Sequence, residues 1–284
     1  HYDNKIQPEN IDYSTTEISR LGSNKFPPKP NLFKCTNCEI IFSEFYNIKF
    51  EKKYIDVIDQ IYIDQIKYKK LYFKNLIKKI KKELSKEKDV LEIGSYYGAF
   101  GSEVLEYVKS YTGLELSTHA VNFSKEKYKL EIFKRTTDEH FKISSKYDVI
   151  FMFDVIEHLD DPIEVLKACN NKLKKNGILI FSTMNMNSFV ARILGTKYPW
   201  VMLIHKYYFT NNSLKKILKK TNFDLYKIKY DTRIIGIEHF LDKIQIHFPF
   251  FKYIFNVIRK FKFIKDSKIK VSFFDLNIYF ARKN

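Results

Sequence analysis

The 284-residue sequence has few of the residues that make a chain flexible or cross-linked. Its 8 glycines and 7 prolines leave no room for a long flexible or collagen-like tract. Its three cysteines are an odd number and, without a recognisable secretory signal, argue against a disulfide framework. No apolar run approaches the ~18 residues that a membrane-spanning helix needs. These absences favour a soluble, cytoplasmic, globular protein.

Arginine is also scarce, although the chain is strongly basic. The formal net charge of +17 at pH 7 would by itself suggest a nucleic-acid or anionic membrane partner. However, only six of the 50 basic residues are arginine. Arginine forks onto phosphates and bases, whereas lysine is commonly a solvated surface charge. The charge therefore predicts a solvated surface in preference to a nucleic-acid site.

The chain divides into three regions by pattern. Residues 1–52 show little periodicity and predict a small, loop-rich N-terminal segment. Residues 53–85 carry apolar residues at helical spacing and predict connecting helices. In residues 86–284, short apolar runs alternate with amphipathic stretches, as in a parallel sheet wrapped by helices. We therefore expect an α/β fold with a doubly wound, mostly parallel sheet in this third region.

Individual elements can be placed within this pattern. We expect strands at 90–93, 111–115, 131–134, 149–153, 178–182, 225–230 and 271–281, and helices at 99–109, 118–128, 162–173 and 212–220. Residues 238–265 form an amphipathic, basic insertion. Such a segment can pack as core or lid helices, which we prefer, or make peripheral contact with an anionic membrane.

The strongest local signal is a glycine-rich turn after the first strand of the third region. Gly94 and Gly98 let the backbone pass close to a ligand, and the next helix aims free N–H groups at it. Glu115 ends the following strand 21 residues after Gly94, where a carboxylate can bind ribose hydroxyls. The spacing G-x-x-x-G-x-x-G differs from the G-x-G-x-x-G of dinucleotide binders. The turn therefore predicts a nucleotide-like ligand and makes an NAD-dependent oxidoreductase a distant alternative.

Four segments in order resemble the motifs of class I S-adenosylmethionine-dependent methyltransferases. They are Glu92–Gly98, Tyr147–Pro162 with its E-H-L-x-D-P sequence, Lys174–Asn185, and 205–214. The resemblance implies a Rossmann-like, seven-stranded sheet with helices on both faces. Asn176 and Met184 depart from the family pattern, at positions that shape turns.

The resemblance also implies which residues bind the methyl donor, S-adenosylmethionine. Carried over position by position, the site comprises Glu92, Gly94, Ser95 and Gly98 at the methionine end, Glu115 and Leu116 at the ribose, Thr137 and Asp138 near the adenine, and Phe153, Asp154 and Val155 on the sulfonium side. The competing interpretation is that Glu92 and Glu115 only cap helices or pair with lysines.

Two histidines are candidates for catalysis. His158 follows Glu157 at the mouth of the fourth strand, and an imidazole with an ordinary pKa near 6.5 can accept a proton from an oxygen nucleophile. His205 lies in the loop expected to roof the pocket. A structural role is an equal alternative for His158 and the preferred one for His205.

These features predict methyl transfer to a small-molecule acceptor, at a hydroxyl or carbon of a sugar, lipid-linked or secondary metabolite. The alternatives are a nucleic-acid methyltransferase, which the charge supports, and a non-catalytic scaffold that binds the donor. Phe153-Asp154-Val155-Ile156 differs from the Asn/Asp-Pro-Pro-aromatic motif of enzymes that methylate base amines. The acceptor and the oligomeric state stay open.

Cys35 and Cys38 form a C-x-x-C pair that resembles half of an N-terminal zinc ribbon. A structural zinc ion needs four ligands, commonly from two such pairs. Either the first pair precedes His1 in a longer chain, or the metal has been lost. We therefore expect no complete zinc site within these residues.

Overall fold

The computed structural model describes residues 29–45, 47, 58–247, 250, 252–259 and 267–284. The remainder of the expected segment 1–52, and parts of 53–85 and 238–265, lie outside the described residues. The strands are β1 (Leu32–Lys34), β2 (Ile41–Ser43), β3 (Asp89–Ile93), β4 (Ser110–Glu115), β5 (Ile132–Lys134), β6 (Tyr147–Phe153), β7 (Leu173–Met184), β8 (Tyr207–Tyr208), β9 (Phe223–Tyr230), β10 (Arg233–Gly236), β11 (Lys268–Val271) and β12 (Leu276–Lys283). The helices are α1 (Gln60–Asp64), α2 (Ile66–Ile80), α3 (Gly101–Val104), α4 (Thr118–Tyr128), α5 (Thr137–Phe141), α6 (Pro162–Lys172), α7 (Phe189–Leu194), α8 (Asn211–Lys220), α9 (Ile237–His247) and α10 (Lys252–Ile258).

The central sheet has seven strands in the order β5-β4-β3-β6-β7-β12-β9. The first five strands are parallel, and β12 runs antiparallel between β7 and β9. Strands covered on both faces read as continuous apolar runs, as the buried run Val149–Phe153 in β6 does. The expected Rossmann-like, doubly wound and mostly parallel sheet is confirmed.

Helices cover both faces of this sheet. One apolar cluster joins α2, the segment after the glycine turn and one sheet face, and a second joins α6 and α8 to the other face. Ile80 of α2 and Leu218 of α8 have no exposed surface. Full burial of one such side chain stabilises the fold by about 1.5–3 kcal/mol. The two clusters hold the carboxyl ends of β3, β4 and β6 at a fixed edge.

Two expected elements were partly wrong. The closing strand expected at 271–281 is broken, because Phe274 has a φ of +56° and the chain bends before β12. β11 consequently leaves the central sheet and pairs antiparallel with β10. The helix expected at 99–109 is shorter, since α3 ends at Val104 and a 3-10 turn follows over Leu105–Tyr107. The helix expected at 118–128 is confirmed at both ends as α4.

A second, small sheet of order β1-β2-β8 was not expected from the sequence. Its strands are two or three residues long, too short for a periodic pattern to develop. Leu32 and Ile41 pack on a buried cluster that includes Tyr198 and Tyr208. This sheet therefore attaches the N-terminal segment to the loop that carries His205.

Within the insertion, α9 and α10 contact each other. Leu241 and Phe255 are buried, and Arg259 forms a 2.5 Å ion pair with Asp242. The face of α10 that carries Tyr253 is exposed. None of the described helices combines the length and the apolar content needed to cross a membrane.

Candidate active site

The glycine turn after β3 is closely packed against its neighbours. Gly94 and Gly98 have φ angles of +74° and +69°, which side chains resist. A Cβ on Gly94 would lie 2.5 Å from Cγ2 of Val155, and one on Gly98 would lie 2.8 Å from Oγ of Ser124. Only glycine therefore fits this cradle at the edge of the sheet.

Glu92, at the end of β3, is 3% exposed and accepts a hydrogen bond from the hydroxyl of Tyr111. Burial raises the pKa of Glu92 to about 8, against the opposing effect of that hydrogen bond. The carboxylate of Glu115 raises it further. Glu92 is therefore a buried carboxyl group held rigidly beneath the glycine turn.

Glu115, at the end of β4, organises two loops. Its carboxylate accepts hydrogen bonds from the backbone N–H groups of Tyr96 at 2.8 Å, Leu116 at 2.7 Å and Ser117 at 2.8 Å. Burial raises the pKa of Glu115, and these three bonds oppose that effect. A carboxylate has about four acceptor positions, so one position is left for a ligand hydroxyl. These N–H groups precede α4, whose N-cap is Ser117, so Glu115 joins the two loops and does not cap that helix.

Most of the other residues expected to bind the methyl donor lie at the same edge of the sheet. The side chain of Phe153 is the exception. Thr137 and Asp138 form the first turn of α5, directly after β5, and Asp138 is exposed. Ser95 is buried in the glycine turn. Phe153 instead packs in the core, with its ring 4.8 Å from that of Phe100.

An aromatic cluster covers the glycine turn, and the sequence did not reveal it. The ring of Tyr62, on α1, lies 4.6 Å from that of Tyr96 and 5.5 Å from that of Tyr97. The hydroxyl of Tyr96 donates to Asp59 at 2.8 Å, and the hydroxyl of Tyr97 accepts from the Asp59 N–H at 3.0 Å. The segment before α2 is thus fastened over the turn.

Asp154 follows β6 in a left-handed conformation with a φ of +56°. Its carboxylate accepts from Oγ of Ser182 at 2.7 Å and from the Arg233 guanidinium at 2.8 Å. Burial alone would raise the pKa of Asp154, but the charge and hydrogen bond of Arg233 lower it below its usual value. Arg233 also pairs with the buried Asp231 at 3.0 Å. A charged network therefore fixes the sulfonium side of the predicted site.

His158 and His205 lie together, with ring centroids 4.6 Å apart. Nδ1 of His158 is 3.1 Å from the carbonyl oxygen of Ile204, and Nδ1 of His205 is 2.8 Å from that of Trp200. A carbonyl oxygen can only accept, so Nδ1 carries the hydrogen in both rings and Nε2 keeps its lone pair. Burial lowers the pKa of both imidazoles, so both are neutral near pH 7.

Glu157 completes a cluster with the two histidines. It is 2% exposed, and its Oε2 atom has no hydrogen-bond partner among the described residues. Burial raises the pKa of Glu157 to about 8, and the nearby carboxylate of Asp154 adds to the effect. The sequence placed Glu157 in a motif but did not single it out as a site residue.

Cys35 and Cys38 lie in the turn between β1 and β2 as free thiols. Hydrogen bonds from the backbone of Cys38 and Asn37 lower the pKa of Cys35. In the part of the chain that the structure describes, no group of three metal-ligating side chains includes either cysteine. The zinc half-site at Cys35 and Cys38 therefore stays a prediction from the sequence.

Comparison of the chain with known proteins identifies its family. A family model described as "Methyltransferase domain" matches residues 65–228. Ubiquinone biosynthesis O-methyltransferases are similar: that of Actinobacillus pleuropneumoniae serotype 7 is 29% identical over 128 residues, 41% of this chain and 55% of that protein. That of Pelagibacter ubique is 30% identical over 150 residues, 49% of this chain and 62% of that protein. The chain thus spans little more than half the length of these relatives.

Solved structures show the same fold at low sequence identity. A methyltransferase from Archaeoglobus fulgidus described as dependent on S-adenosylmethionine is 20% identical, with a TM-score of 0.53 over 79% of this chain and 100% of that one. The N-methyltransferase NodS from Bradyrhizobium japonicum, bound to S-adenosyl-L-homocysteine, is 12% identical, with a TM-score of 0.50 over 82% and 96% of the two chains. The family match covers more than half of the sequence, and this chain therefore belongs to the methyltransferase domain family, with the class I fold of S-adenosylmethionine-dependent methyltransferases.

Proposed function

We propose that this chain transfers a methyl group from S-adenosylmethionine to a hydroxyl group of a small-molecule acceptor. The observation that carries the proposal is a glycine cradle beside two neutral histidines at one edge of the sheet. The curated relatives named above are O-methyltransferases by name, which favours oxygen over carbon as the acceptor atom. A sugar, lipid-linked or secondary metabolite fits the proposal.

The residues at this edge suit the donor. Gly94 and Gly98 provide backbone close to the ligand, and the free acceptor position of Glu115 suits a ribose hydroxyl. Glu92 and Asp154 lie at the ends of the neighbouring strands β3 and β6 and suit the methionine and sulfonium groups. When bound, the donor supplies an electrophilic methyl carbon. Thr137 and Asp138, after β5, stay our candidates near the adenine.

The acceptor must lose a proton as its oxygen is methylated. We propose that His158 accepts this proton at Nε2, because its Nδ1 hydrogen is fixed on the carbonyl of Ile204. His205 lines the same cluster and orients the acceptor. Much of the remaining acceleration comes from holding the nucleophile in line with the methyl carbon.

Turnover measurements test this assignment. An acceptor screen with radiolabelled S-adenosylmethionine should give a methylated product, and His158→Gln should lower kcat by about 10²–10⁴-fold. His140→Gln is the matched control, because His140 bonds Tyr147 at the amino end of β6, the opposite edge of the sheet. Equal turnover by wild type and His158→Gln would remove His158 as the base. Donor binding without any turnover would favour a scaffold.

The division of the chain also stays a proposal. We infer a segment 1–52, connecting helices in 53–85 and a donor-binding domain in 86–284, with E-H-L-x-D-P at Glu157–Pro162 as the mark of its branch. The strands β1 and β2 of the first segment lie outside the central sheet, although β2 pairs with β8 of the donor-binding domain. The cysteine turn is compatible with a zinc-ribbon remnant, and measured zinc at one equivalent on the two thiols would show a working site.

We also propose that residues 238–265 make peripheral contact with a membrane. Phe250, Tyr253 and Ile254 are 72%, 80% and 51% exposed, beside lysine-rich sequence. This face suits peripheral contact with anionic lipid, whereas Leu241 and Phe255 elsewhere in the segment are buried. Flotation with anionic vesicles tests the contact, and absence of binding would remove it. A cytoplasmic location stays a prediction from composition.

A further inference from the structure

Glu157, His158 and His205 form a compact set of potential metal ligands. One nitrogen of each ring and a carboxylate oxygen lie within 4.8 Å of one another. Glu157 and His158 come from the 3-10 turn after β6, whereas His205 precedes β8, so two separate segments of the fold hold the set. Two imidazoles and one carboxylate are a recurrent donor set for first-row transition metals.

The hydrogen bonds around the two rings suit metal binding. Histidines that bind metals usually donate the other ring N–H to a carbonyl or carboxylate, which fixes the ring and raises its basicity. His158 does so with Ile204 and His205 with Trp200. Each ring therefore keeps one nitrogen lone pair for a ligand.

The carboxyl group supplies a second, independent observation. Oε2 of Glu157 is buried and has no hydrogen-bond partner among the described residues, and an unpaired buried oxygen is costly. The Asp154 carboxylate lies close enough to disfavour a second negative charge. Lys206, beside His205, is itself paired with Asp160. A bound cation would satisfy the orphaned oxygen and offset the neighbouring negative charge.

We propose that Glu157, His158 and His205 bind one divalent first-row transition-metal ion, such as Zn²⁺ or Co²⁺. The ion would take the nitrogen with which His158 accepts a proton, so metal binding and direct proton transfer to His158 exclude each other. In the loaded protein, the ion would lower the pKa of a coordinated hydroxyl instead. This consequence rests on the proposed function, but the binding of the ion does not.

Calorimetric titration with Co²⁺ and Zn²⁺ tests the site. The wild type is compared with a Cys35→Ser, Cys38→Ser double variant, which removes the only cysteine pair. In that background we expect one ion per chain, and a Co²⁺ spectrum without thiolate charge transfer. Glu157→Gln and His205→Gln should each weaken binding at least tenfold, whereas His140→Gln should leave it unchanged.

Parallel titration of every variant with S-adenosylmethionine separates the two proposals. Intact donor binding without metal binding in the Cys35→Ser, Cys38→Ser background would overturn the metal site and leave the proposed function standing. Metal binding without donor binding would overturn the proposed function and leave the metal site standing. Unchanged affinity in both Glu157→Gln and His205→Gln would also overturn the site, because the ion would then lie elsewhere.

Discussion

Gly94→Ala tests whether the cradle geometry is as tight as the structure indicates. A side chain at a φ of +74° costs about 1–2 kcal/mol. The new Cβ would also lie 2.5 Å from Cγ2 of Val155, and relief of such overpacking costs about 1–3 kcal/mol. We therefore expect the free energy of unfolding to fall by about 2–5 kcal/mol, with a large loss of donor affinity, since backbone and Val155 must both move.

Gly195→Ala is the matched control. Gly195 also has a positive φ, of +52°, but a Cβ there meets nothing within 4 Å. Urea unfolding should show only the conformational cost, and calorimetry should show unchanged donor affinity. In a double-mutant cycle, Val155→Ala should return the overpacking part of the Gly94→Ala loss, about 1–3 kcal/mol. Equal stability of Gly94→Ala and wild type, or no energetic coupling between positions 94 and 155, would show that the glycine turn is not tightly packed against Val155.

Two further predictions concern the aromatic cover and acid stability. Tyr96→Phe removes the 2.8 Å bond to Asp59, so donor dissociation should quicken several-fold in stopped-flow traces, and an unchanged rate would mean that this bond does not fasten α1. Lys174 and other hydrogen-bond donors lower the pKa of Asp89 to about 2, from a value near 3.9 in the unfolded chain. The ionised Asp89 therefore stabilises the folded state fully above about pH 4, and this contribution is lost as the pH falls towards 2. Urea unfolding of Lys174→Met at pH 5 and pH 2.5 should show a smaller pH dependence than wild type, and identical slopes would contradict the assignment.

The central sheet could be predicted because its residues follow a simple rule. The segments ending at Ile93, Glu115 and Phe153 are buried parallel strands. Val149–Phe153 is continuously apolar, and such a strand needs no alternation to be recognised. The glycine turn could be recognised because close backbone packing leaves glycine as the only fitting residue. The Rossmann-like fold and the family followed from these segments together.

The remaining features depend on contacts between residues far apart in sequence. Tyr62 reaches the glycine turn only because α1 folds back over it, and no local pattern marks that contact. Arg233 reaches Asp154 across 79 positions of the chain. The orphaned oxygen of Glu157 is a property of packing, so a sequence motif containing Glu157 could not reveal it.

Calorimetric titration with S-adenosylmethionine and S-adenosylhomocysteine, with NAD as the control, decides whether the donor site exists. We expect saturable binding of both sulfur ligands at one site per chain and no binding of NAD. Weaker binding in Glu115→Ala would connect that site to the end of β4, where the carboxylate organises the glycine turn. Absence of binding by either sulfur ligand to the folded protein would contradict the proposed donor site, and the enzymatic proposal with it.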